Sequence, residues 1–192
     1  MMKKVITRDE AIRILKEFHF VKMTKRERLE AIEELWLSCD SEDWFDENEL
    51  TFYPKEIRED MVQNEQPKDA SDPKYDYIIK DALKGMFYGV KNSYLLELLL
   101  KSGIEVSEVT GENDKLEECP CCGYLTTPPG MDGFAEICNV CFWENTGEGA
   151  NHITLKEAQE NFKKYGAMDQ GALKFVDPDG KMKYEITVAN TH

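Results

Sequence analysis

Cys119-Pro120-Cys121-Cys122-Gly123 and, further on, Cys138-Asn139-Val140-Cys141 are the two stretches on which the reading of this chain turns. A Cys-x-x-Cys turn delivers two thiolates from one tight knuckle, and two such turns complete the four-ligand tetrahedron of a structural zinc site. In the first stretch Pro120 restricts the turn, and Gly123 can take the positive φ that folds the chain back over the ion. Fifteen residues separate Cys122 from Cys138, room for a short hairpin and within the spacing of zinc ribbons. Metal at Cys119, Cys122, Cys138 and Cys141 is therefore the first expectation, with zinc as the ion.

Five of the six cysteines lie between Cys119 and Cys141. Clustering of this kind in a reducing compartment points to metal rather than to disulfides. A redox pair would need a helix after its motif, and Pro128-Pro129-Gly130 interrupts the chain there. Cys121 either points away from the ion or replaces a neighbour in another register. His152 is either a further group at the site or simply a histidine ahead of a helix, and Cys39 reads as a small buried apolar residue.

These residues carry a resemblance. Cys119 to Tyr124, the segment Glu136 to Glu144, Asn151-His152 and the helix Leu155 to Phe162 are similar to the bacterial cysteine-rich CPCC domain family, from Cys119 to about Gly166. The family commonly has proline after the first cysteine of the second knuckle, whereas this chain has Asn139. The resemblance implies a small metal-binding module. It carries over no catalytic activity, and some members lie beside toxin genes as candidate immunity proteins of polymorphic toxin systems.

Working outward, the flanks read as follows. Upstream, Thr7/Glu10 and Thr24/Glu27 fit capping boxes ahead of apolar positions at helical spacing. Pro54 suits a first helical turn. Further helices are expected over Tyr75–Tyr88 and Ser93–Lys101, with Gly103 just past the second. Ile104, Val106 and Val109 suggest a strand. Downstream, Thr154/Glu157 starts another helix that Gly166 ends. Asp177-Pro178-Asp179-Gly180 reads as the turn of a closing hairpin between Leu173–Val176 and Tyr184–Val188. The fold class expected is α+β: an N-terminal helical part over 1–110, then a metal-knuckle module over 111–192 with one helix and a small antiparallel hairpin.

Composition limits the function. No run of about 18 apolar residues exists to span a membrane. No apolar core of about 7–15 residues near Met1 suggests a secretory leader, so a cytoplasmic location is expected. Motifs for metalloproteases, zinc deaminases, serine hydrolases and phosphate loops are absent, and four thiolates would close the metal shell. A non-enzymatic protein is the expectation.

A net charge of −14 offers no basic footprint for nucleic acid. Between Cys119 and Gly149 there is neither lysine nor arginine, which disfavours the alternative of a zinc-ribbon regulatory or nucleic-acid adaptor. Leu29 to Pro54 also lacks both, yet holds nine acids interleaved with aromatic residues. Asp40, Glu42, Asp43, Trp44, Asp46, Glu47 and Glu49 are the candidate partner-binding residues. Charge speeds encounter with a basic protein and desolvated aromatics hold it. The expected partner is a basic, nuclease-type toxin encoded nearby.

Overall fold

The structure, a computed structural model, describes residues 4–38, 53–64, 66–130, 137–144 and 151–187. Its elements run β1 (Val5–Thr7), α1 (Arg8–Lys22), α2 (Lys25–Ser38), α3 (Lys55–Gln63), α4 (Asp76–Gly85), α5 (Asn92–Lys101), β2 (Glu108–Thr110), β3 (Glu117–Glu118), β4 (Leu125–Thr127), α6 (Leu155–Tyr165) and α7 (Gly180–Lys183). The class is α+β. Among the described residues no helix is long and apolar enough to cross a membrane.

Two compact units share the chain. One comprises Asp9–Tyr88; the other joins Met1–Arg8 to Gly89–His192. The sequence suggests a boundary at 110/111, where the charged stretch Gly111–Glu118 begins; the contacts group Gly89–Thr110 with the cysteine-bearing segment and break the chain at Arg8/Asp9 and Tyr88/Gly89.

In the Asp9–Tyr88 unit, Ile32, Ile57, Tyr75 and Ile79 are fully buried in one apolar cluster drawn from α2, α3, the 3-10 turn Pro73–Tyr75 and α4. The capping box that opens α2 is complete: Thr24 N donates to Glu27 Oε2 at 2.7 Å and Glu27 N to Thr24 Oγ1 at 3.3 Å. Asp60 of α3 accepts from the Tyr75 hydroxyl, from Asn64 Nδ2 at 2.8 Å and from Lys74 Nζ at 2.9 Å. Burial pushes the Asp60 carboxyl up, but these bonds outweigh it and hold it below the usual range. Burial and the Asp60 charge push Tyr75 up to about 12.

In the other unit, β1 pairs in parallel with β2, Ile6 opposite Val109. Ile6, Leu95, Leu99 and Val109 are buried. Helix α5 stops at a left-handed Gly103, φ 79°. Gly103 N reaches Leu100 O at 3.0 Å and Ile104 N reaches Leu99 O at 2.9 Å, the paired bonds of a Schellman ending.

The antiparallel hairpin is β3–β4, not the expected one at the C-terminal end. Asp177-Pro178-Asp179-Gly180 does turn the chain, but into α7 rather than back along a strand. Asp177 Oδ1 accepts from Asp179 N at 2.9 Å, and Asp179 O accepts from Lys183 N at 2.9 Å. Leu173 falls in a 3-10 turn, Ala172–Lys174. Tyr184–Thr187 runs instead beside the first knuckle, where Leu125 N donates to Glu185 O at 2.8 Å and Thr187 N to Gly123 O at 3.1 Å.

Candidate metal centre

The two knuckles have the same backbone. Cys119 N donates to Tyr124 O at 2.8 Å, and Gly123 N returns to Cys119 O at 2.9 Å. Cys138 N donates to Trp143 O at 2.9 Å, and Phe142 N returns to Cys138 O at 2.7 Å. The turn closes through a left-handed residue in each: Gly123 at φ 78° and Phe142 at φ 66°. Phe142 is the single non-glycine residue with positive φ among the described residues.

This shared turn aims four sulfurs at one point. The Sγ atoms of Cys119, Cys122, Cys138 and Cys141 all lie within 4.8 Å of one another, and all four residues are buried. Cys119–Cys141 and Cys122–Cys138 are each 3.6 Å apart. A disulfide would need about 2.05 Å. Four sulfurs around one ion at zinc's bond length of about 2.3 Å would lie about 3.8 Å apart. The group therefore fits a tetrahedral metal ion and is arranged to bind one.

The electrostatics agree with that fit. Hydrogen bonding with Cys119, then with Cys122 and Cys141, holds the Cys138 thiol far below its ordinary range. Thr126 Oγ1 adds a bond at 3.3 Å. Bonding with Cys119 is also the largest cause that raises Cys122 and Cys141 far above theirs. Each sulfur–sulfur hydrogen bond needs a proton on one of its two thiols, and a divalent ion would put its own charge in place of those protons.

The surroundings hold each knuckle by its carbonyls. Gln159 Nε2 of α6 donates to Pro120 O at 2.9 Å, Met168 N to Cys141 O at 2.7 Å and Asp177 N to Asn139 O at 2.9 Å. Asn139 also donates through Nδ2 to the Tyr184 hydroxyl at 3.2 Å, a bond that proline at this position could not make. Gly180 lets the chain pass close by: a Cβ there would lie 3.2 Å from Asn139 O. Val140, Trp143, Ala158 and Met168 pack with the cysteines in one buried cluster.

The remaining candidates fall as follows. Cys121 is buried and unbridged, and lies outside the four-sulfur group. His152 is mostly exposed; its Nε2 pairs with Asp169 Oδ2 at 2.7 Å, so it is a surface partner of the turn at Ala172, whose N–H Asp169 also caps at 2.7 Å. Cys39 and the acidic candidates Asp40, Glu42, Asp43, Trp44, Asp46, Glu47 and Glu49 lie outside the described residues. Sequence reasoning missed Phe142. Its signal was positional, since it stands where Gly123 stands in the first knuckle.

Residues 117–182 match the family described as Cysteine-rich CPCC, so the chain carries a domain of that family. No curated protein and no solved structure matches the chain.

Proposed function

We propose that the four cysteines hold a structural zinc ion, and that the protein is a non-enzymatic, cytoplasmic inhibitor that binds and neutralises a basic, nuclease-type toxin. The observation that carries the metal reading is the buried four-sulfur group. Four protein thiolates complete a tetrahedral shell and leave no position for substrate or water. Zinc there supplies charge and four bonds, and so couples folding of the module to metal binding.

The partner reading is supported by the net charge of −14 and by the lysine- and arginine-free segment that carries Asp40, Glu42, Asp43, Trp44, Asp46, Glu47 and Glu49. Such a segment presents the negative charge that a basic nuclease expects of its phosphate substrate. The resemblance to a family with candidate immunity members points the same way.

Elemental analysis of the purified protein tests the metal: one zinc per chain is expected, and a red, iron-bearing protein would correct the ion. Co-expression with the products of neighbouring genes tests the partner. Rescue of a toxic neighbour, with a complex that weakens in salt and on reversal of Asp43, Asp46 and Glu47, is expected. A complex indifferent to those reversals would remove the acidic segment from the interface.

A further inference from the structure

The Asp9–Tyr88 unit is inserted: the chain leaves the cysteine-bearing unit after Arg8 and returns at Gly89. Both crossings end on one ion pair. Arg8, 6% exposed, donates to Val90 O at 2.5 Å, to Asn92 Oδ1 at 3.0 Å and to Asp114 Oδ2 at 2.6 Å. The same Asp114 oxygen accepts from Gly89 N at 2.9 Å. The residue before the exit and the residue at the return thus share one carboxylate.

The return segment is also gripped by the backing of both knuckles. On the first side, Leu116 packs with the cysteine cluster and presses on Gly89, where a Cβ would come within 2.3 Å of Leu116 Cδ1. Leu116 directly precedes β3, which leads into Cys119. On the second side, Lys91 N donates to Lys183 O at 2.8 Å, and the Tyr94 hydroxyl to Asp179 Oδ2 at 2.8 Å. Lys183 and Asp179 belong to the α7 turn, whose Gly180 sits against Asn139 and Val140 of the second knuckle. Asn113, beside Asp114, donates to Glu185 Oε1 at 3.0 Å, and Glu185 O receives Leu125 N.

We infer that metal loading of the four cysteines acts as a lock on the two crossings, Val5–Arg8 and Gly89–Asn92, with Asp114 as the positioning residue that joins them. The inference rests on the reading that the cysteines hold an ion. With the ion in place, β3, Leu116 and α7 have fixed backing, and Asp114 meets Arg8 and Gly89 together. When the ion leaves, the knuckles lose the bonds that define them, Leu116 and α7 lose that backing, and both crossings open.

Hydrogen exchange read by mass spectrometry on the full-length zinc-loaded protein, before and after chelation, tests the lock. Zinc content is measured in the same samples. Amides of Val5–Arg8 and Gly89–Asn92 are expected to exchange at least about tenfold faster once zinc is removed, while core amides of α2 and α4 change less than about twofold. Asp114→Asn with zinc bound should speed exchange at both crossings and leave zinc content unchanged. Crossings that stay protected after zinc is gone would overturn the lock, as would a uniform rise across both units. A protein that binds no metal ion at the four cysteines would overturn both the lock and the metal reading, whereas a metal-loaded protein whose crossings stay protected after chelation overturns the lock alone.

Discussion

Phe142 holds a left-handed backbone, φ 66°, that disfavours any residue with a Cβ. For an L-residue this costs about 1–2 kcal/mol. Its ring stacks on Phe175 with centroids 5.0 Å apart, a contact worth about 0.5–1.5 kcal/mol. The two terms nearly cancel, and they can be separated. Phe142→Ala loses the ring and keeps the strain; Phe142→Gly loses the ring and sheds the strain. The glycine variant is expected to be the more stable by about 1 kcal/mol in urea unfolding, the reverse of the usual order in regular structure. At the sulfurs, Cys119→Ser and Cys141→Ser should abolish zinc binding, while Cys121→Ser should keep one zinc per chain, all read by elemental analysis. Equal loss in all three would place Cys121 among the ligands. At this scale the four-cysteine pattern was legible because each Cys-x-x-Cys turn is local. The strain at Phe142 was not, since it shows only when the second knuckle is laid over the first.

Elements whose ends are set by neighbouring side chains were the readable ones. Helix α6 starts at Thr154, whose side chain accepts from Glu157 N while Glu157 bonds back, and stops at a left-handed Gly166. Thr154→Ala should cost about 1 kcal/mol, seen as a lower unfolding midpoint of the cysteine-bearing unit, because α6 donates to Pro120 O through Gln159. Strand β1 left no signal: three residues whose partners lie beyond residue 100 carry too little pattern. The Tyr184–Val188 alternation holds at its first step only: Tyr184 is buried and Glu185 exposed, but Ile186 is exposed too. Its pairing partner was misjudged because a strand finds its neighbour by tertiary packing, and the backbone here meets Tyr124 rather than Leu173–Val176.

For the whole molecule, two units with separate cores imply two responses to conditions. Chelation should lower the melting of the cysteine-bearing unit by calorimetry and leave a transition of the Asp9–Tyr88 core in place. Acid should reach both units. Burial raises Asp114, but the Gly89 and Arg8 bonds outweigh it and hold the carboxyl below its ordinary value; Asp60 is lowered likewise in the helical unit. A carboxyl lowered by folding contributes fully above its unfolded value of about 3.9, and that contribution vanishes as pH falls through the lower folded value. Urea midpoints should therefore hold from neutral pH to about 4 and drop below it. Asp60→Asn should flatten the drop in the Asp9–Tyr88 unit alone. The charge of the chain predicts another global property, complex formation with a basic partner that slows as salt rises.

The parallel pairing of β1 with β2 also dictates an order of events during synthesis. Val5–Thr7 leaves the ribosome first, yet its partner Glu108–Thr110 follows about 100 residues later, at roughly 5–20 residues per second. The intervening helices can close their core in that interval while the leading strand waits unpaired. The last cysteine, Cys141, comes later still. A nascent chain would thus be able to acquire its ion only after the helical residues have emerged, and zinc scarcity would leave molecules with a finished helical unit and an unfinished cysteine module.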